Sequence, residues 1–223
     1  MSYDSFIHEV NEEFRQEKVY AFLKRHGFLV IVAAIIFILA IVGYQVYSHK
    51  KMNEARNIGD IFIKSLSLAD SHDFDQAMNQ LELVKASNFA GYPFLARLRE
   101  ASLLSEQGDA VRAVEMFDTV AFDEKAPQIL QKVAKIQAAY ILVDIGTLDD
   151  VKKRVQDIAN DIDPMRISAR EALGLAAYKA DKMDEAVYYF QKISEEGNLG
   201  IKIVERAKIM LELIQAEGKV NKE

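Results

Sequence analysis

The chain of 223 residues has no cysteine and no tryptophan, only three prolines, and four histidines. Without cysteine there are no disulfides, thiolate metal sites, thiol nucleophiles or lipid-modified cysteine anchors. The histidines are His8, His26, His49 and His72, and three of them precede or flank one apolar run. No HExxH, Walker A, GxSxG or GxGxxG pattern occurs. "HDFD" at 72 has the residue types of a helix-capping turn as much as of a metal cluster. The acidic pairs Glu12-Glu13, Asp149-Asp150 and Glu195-Glu196 are adjacent. Neighbouring positions on a helix diverge, which suits solvation better than shared acid/base chemistry. The expectation is a chain that is not an enzyme and takes no cofactor, metal or small-molecule substrate.

The charge balance excludes another class. The chain has 28 basic and 34 acidic residues; six and five of these precede residue 52, leaving 22 and 29 in the remainder. A net charge near −7 there opposes nucleic acid binding, which is driven by phosphate neutralisation.

What the sequence does have is "GFLVIVAAIIFILAIVGYQVY", residues 27–47, with no charge in it. About 20 largely apolar residues cross a hydrocarbon core of roughly 30 Å. The run is longer than a cleavable signal's apolar region, and Val46-Tyr47-Ser48 is a poor cleavage site. Tyr44 and Tyr47 stand where an aromatic belt lies. An uncleaved single-pass anchor in membrane lipid is predicted. Its orientation is not fixed by charge: Arg15, Lys18, Lys24 and Arg25 before the run balance Lys50, Lys51, Arg56 and Lys64 after it. Ahead of the anchor, Phe6, Ile7, Val10 and Phe14 fall on one helical face behind a cap at Asp4 or Ser5. The organisation expected is an amphipathic segment 1–26, an anchor 27–48, a linker 49–57 and a soluble domain 58–223.

The soluble domain repeats itself. "HDFDQAMNQLELV" at 72, "GDAVRAVEMFDTV" at 108, "GTLDDVKKRVQDI" at 146 and "DKMDEAVYYFQKI" at 181 align. Each carries a small or β-branched residue (Ala77, Ala113, Val151, Ala186) and, four places on, a larger apolar one (Leu81, Phe117, Val155, Phe190). Three further on comes Val84, Val120, Ile158 or Ile193. These spacings share one helical face, and the first positions recur at intervals of 36, 38 and 35 residues. A second helix precedes each segment, with Ser65, Ala101, Ala139 or Gly174 near its middle. Small residues there permit close helix crossings. Gly108 and Gly146 suit the reversals within pairs, and Pro93, Pro127 and Pro164 fall between pairs.

These units resemble the tetratricopeptide repeat, a helix-turn-helix of 34 residues, although Lys64 and Glu100 stand where an apolar residue is usual. The expected fold is all-α: one transmembrane helix, an α-solenoid of about four helical hairpins from Ile58 to Ile193, and a capping helix in "LGIKIVERAKIMLELIQAEG". With its anchor, the helix "FIHEVNEEFRQEKVYAFLKRHG", "GYPFLARLREASLL" at 91 and "SAREALGLAAYKA" at 168, the chain is similar to the YfgM-like family of ancillary SecYEG translocon subunits, in its alphaproteobacterial form. That resemblance implies a cell inner membrane protein with its N-terminus in the cytoplasm and its repeats in the periplasm. It implies as partners SecYEG and periplasmic chaperones such as the prolyl isomerase PpiD.

The family's groove positions map onto Phe62, Leu66, Leu95, Leu98, Val133, Ile136, Tyr140, Val143, Leu175 and Tyr178, while Ala77, Ala113, Ala139, Gly174, Ala186 and Phe190 carry repeat packing. The Lys, Arg and Asn of the carboxylate clamp known in such repeats are missing from those positions. An apolar groove with two tyrosines suits an extended chain or a partner helix. It also suits the chain's own terminal helix folded into it. The function expected is a non-catalytic scaffold beside the Sec translocon, with a cell-envelope or division scaffold as the alternative.

Overall fold

A computed structural model describes residues 3–87, 89, 91–196 and 201–218, with side chains at Lys24 and from Gly27 onward except Val30, Ala34 and Ile201. The described elements are all helices: α1 (Tyr3–Asp70), α2 (Phe74–Ala86), α3 (Tyr92–Glu106), α4 (Ala110–Ala121), α5 (Gln128–Ile145), α6 (Leu148–Val155), α7 (Arg166–Lys179), α8 (Met183–Ser194) and α9 (Ile201–Ala216). The chain divides into two compact units, Met1–Arg56 and Asn57–Glu223.

The first unit is α1 up to Arg56. Its apolar stretch has a mean hydropathy of 2.9 over the richest window, none of it buried, so α1 is long and apolar enough to cross a membrane. Phe28 and Phe37 are 79% and 67% exposed, a state that an aqueous protein avoids for large contiguous patches. Positions 49–57, expected as a linker, are helical and belong to α1. The face of Phe6, Ile7, Val10 and Phe14 lies outside the described side chains.

The second unit is a row of helical hairpins. The last turns of α1 pair with α2, α3 with α4, α5 with α6 and α7 with α8, and α9 closes the row. Among α2 to α9, no helix touches one more than two along the chain. Ala77, Ala113, Val151 and Ala186 are all 0% exposed, and Leu81, Phe117, Val155 and Phe190 at most 3%. Val84, Val120, Ile158 and Ile193 are equally enclosed. Ser65, Ala101, Ala139 and Gly174 are buried against them. The hydroxyl of Ser65 donates to the Phe62 carbonyl at 2.6 Å, so its burial strands no donor.

Three of the four hairpin turns share a left-handed residue, and in two of these a side-chain cap follows it. His72, Gly108 and Asp181 adopt left-handed φ of 63°, 86° and 57°, which ends one helix sharply. Asp73 and Asp109 then accept from the backbone N–H of Gln76 and Arg112 and start the next helix. In the third hairpin Gly146 is extended (φ −108°), and Thr147 and Asp150 form a reciprocal capping box. Space is tight at Gly146 instead: a Cβ there would meet Leu142 Cδ2 at 2.8 Å and the Leu142 carbonyl oxygen at 3.0 Å. The "HDFD" segment is thus a turn with a cap. Pro93 lies in the first turn of α3, Pro127 is the N-cap of α5, and Pro164 precedes the N-cap of α7.

Successive repeats are also joined by ion pairs. Glu100, 7% exposed, is held by Lys85 at 2.6 Å, which accounts for a charged residue at an apolar position; Lys64 is exposed. Arg154 grips Asp118 at 3.0 and 2.5 Å, and Lys132 reaches Asp163 at 2.5 Å. Glu196, just past α8, accepts from Arg166 at 2.6 and 2.5 Å and from Arg170 at 2.7 Å. The Arg166 bonds, reinforced by Arg170, hold the Glu196 carboxyl below its ordinary value of 4.5. A depressed carboxyl contributes stability above its unfolded value and loses it as pH falls through the folded one. Glu196→Gln should therefore cost about 1–2 kcal/mol at neutral pH. The deficit should shrink as the pH drops below about 4.5, as read by urea unfolding across that range.

Candidate functional site

The first helix of each hairpin carries the groove residues at a fixed register: six and three places before the small residue, and one and four after it. Applied to Ser65, Ala101, Ala139 and Gly174, this register selects sixteen positions. They are Gly59, Phe62, Leu66 and Ala69; Leu95, Leu98, Ser102 and Ser105; Val133, Ile136, Tyr140 and Val143; Ser168, Glu171, Leu175 and Tyr178. Glu171 alone is charged, in a chain that is 28% charged.

Burial divides these residues. Ile136 is 5% exposed and belongs to the central core, with Leu98, Tyr140 and Val143 packed around it. Leu175 and Tyr178 pack against the last core cluster, which includes Val204, Ala207 and Ile214 of α9. Phe62 belongs to the first cluster and meets Tyr92 edge-on at 6.3 Å. Leu66, Leu95 and Val133 are half-buried and lie outside the described clusters. The structure brings Leu98 of the second hairpin and Ile136, Tyr140 and Val143 of the third around one core. It gives the apolar positions of the fourth to α9 in part.

The terminal helix packs on α8 and touches α7; among described residues it makes no contact with earlier helices, so it covers only the end of the row. Its main polar tie was not selected from the sequence. Arg206 of α9 donates from Nε and Nη2 to the two oxygens of Glu171, at 2.7 and 2.9 Å. The Tyr140 hydroxyl of α5 donates to the same carboxylate at 2.6 Å. Glu171 is 3% exposed, and three donors satisfy its charge. Burial of Tyr140, then its bond to the carboxylate, pushes the phenol's pKa up; the bond to Glu171 does the same for Arg206. Tyr178 donates to Glu217 beyond α9 at 2.8 Å. The register would have found Glu171, three places before Gly174, had charged residues been admitted alongside apolar ones.

Two polar groups near the register are engaged within the chain. Lys179 donates to the Val143 carbonyl at 2.9 Å and to that of Asp144. The Ser102 hydroxyl donates to its own helix at Leu98. The register positions that are not buried are mostly aliphatic or aromatic, joined by Gly59 and three serines, Ser102, Ser105 and Ser168. Such a surface recognises by shape and burial, with no cation at any of the sixteen positions to demand a carboxylate.

A family model described as a tetratricopeptide repeat-like domain matches residues 20–208. Neither the curated proteins nor the solved structures gave a match.

Proposed function

Because the chain belongs to the tetratricopeptide repeat-like domain family, we propose that it is a non-catalytic, membrane-tethered scaffold whose register of first-helix residues binds an extended segment of another protein. The observation that carries this reading is the single charged residue among sixteen register positions, itself saturated within the chain. Repeats of this kind bind protein partners through such surfaces, and α1 supplies a helix fit for a membrane.

The resemblance to YfgM-like proteins extends the proposal to the partner and the side of the membrane. The N-terminus lies in the cytoplasm, the repeats in the periplasm, and the scaffold stands beside SecYEG. There it passes exported chains to envelope chaperones such as PpiD. A tether of this kind raises the effective concentration of the groove near the pore to about millimolar.

Two measurements test it. Protease added to spheroplasts should remove residues 52–223; their protection would place the repeats in the cytoplasm. Affinity purification from gently solubilised membranes should enrich a translocon subunit or an envelope chaperone. That enrichment should be lost when Leu66, Leu95 and Val133 are changed to serine with helicity intact. Ile136 is unsuitable for this purpose, since a carboxylate placed there would be buried and would unfold the domain.

A further inference from the structure

The register surface borders a depression at one of its positions. Between the C-terminal ends of α5 and α7, beside Val143, lies a pocket of about 240 Å³ lined by Leu142, Val143, Leu148, Ala176, Lys179 and Ala180 among others. It owes its existence to small residues. Ala176 and Ala180 leave the α7 wall low, and Gly146 has no side chain to project. Its lining is mostly aliphatic, so water inside it has few bonding partners, and an apolar group that displaces such water gains affinity. The volume compares with about 30 Å³ for one water in the liquid.

The one cation at the pocket is already committed. Lys179 Nζ donates to the carbonyls of Val143 and Asp144, two of the last four carbonyls of α5, which have no partner within their own helix. An ammonium has three donors, and two are engaged here. It neutralises the negative end of the α5 dipole, and Asp144 itself is exposed nearby. An anion brought in would face carbonyl oxygens and a carboxylate. Lys179 offers the pocket its methylene stem.

We infer that this pocket seats one branched aliphatic or aromatic side chain of the bound protein segment and so sets the segment's position along the groove. The inference rests on the groove reading above. It adds a preference: a segment is held where a bulky apolar residue meets the ends of α5 and α7, and no terminal carboxylate is needed.

The test uses the full chain in lipid nanodiscs, with empty nanodiscs as the blank. The probe is a fluorescent twelve-residue peptide of alanine, valine and serine whose central guest is either leucine or alanine, read by anisotropy. Wild-type protein should bind the leucine-guest peptide at least tenfold more tightly. Ala180→Trp should erase that preference, so that the two peptides bind this variant with equal affinity. Ala180 is exposed, with an ordinary φ of −80° at the end of α7, so the bulkier side chain plugs the pocket from its rim. Ala180→Leu is a second, smaller plug, and circular dichroism checks the fold of both. Equal affinity for the two guests in the wild type, or a preference that survives both plugs, overturns the pocket's role and leaves the groove standing. Failure of both peptides to bind overturns the groove reading, and the pocket's role with it.

Discussion

Phe190→Ala should lower the unfolding free energy of the repeat domain by about 3–5 kcal/mol, the usual cost of emptying a buried phenylalanine site. Phe190 is 1% exposed and sits in the last core cluster with Ile167, Met183, Ile193 and Ala207. Its ring lies against Gly174: a Cβ at that glycine would meet ring atoms Cε1 and Cζ at 2.8 and 2.9 Å. Gly174→Leu alone should therefore overpack the crossing of α7 and α8, at a cost of about 1–3 kcal/mol or more. In the Phe190→Ala background the ring is gone and the added side chain has room. The double variant should be less damaged than the sum of the two singles, a coupling readable in a double-mutant cycle of chemical unfolding. Strict additivity would mean that the glycine and the ring do not meet.

Arg206→Leu should cost about 2–3 kcal/mol. Stranding one partner of a fully buried pair typically costs 3–5 kcal/mol. The figure is reduced here because the Arg206 side chain is 56% exposed and water reaches that side of the pair. Glu171, with its side chain 4% exposed, would keep only the Tyr140 hydroxyl as a partner. Arg206→Leu/Glu171→Leu removes both charges and should recover most of the loss, because two apolar residues can pack where the ion pair stood. Tyr140→Phe, by contrast, removes one of three donors and should cost about 1 kcal/mol. Thermal melts of the three variants set the order. A single Arg206→Leu as stable as the parent would show that the tie to Glu171 contributes nothing.

The hairpins were legible because their message is periodic. Ala186, Phe190 and Ile193 recur at the offsets of Ala77, Leu81 and Val84, and each set needs only a helical face to explain it. The groove was less legible, for two reasons. Ile136 and Leu98 occupy the same register, three places before the small residue, yet one is enclosed and the other half-buried, because burial depends on how closely neighbouring hairpins approach. Glu171 was invisible for another reason. Its partners lie 31 positions before it and 35 after it, and pairing over such distances leaves no local pattern. Glu100 shows the same difficulty: a charge at an apolar position reads as a broken register until Lys85 is seen beside it. The reversal at His72 was hidden too, since a left-handed φ on a histidine has no signature comparable with glycine's.

The neighbour-only contacts of the repeat domain bear on how it is made. From α2 onward every helix contacts partners one or two helices away, so the contact order is low and no helix must wait for a distant segment to arrive. A chain delivered from its N-terminus can consolidate α2 on the end of α1, then α3 on α2, as each emerges. The apolar surface exposed at any moment is then about one helix wide. Only α9, arriving last, supplies Arg206 to a glutamate whose other neighbours are already in place. A pulse of proteolysis during synthesis should find protection advancing hairpin by hairpin, with α7 acquiring its final resistance when residue 206 has arrived.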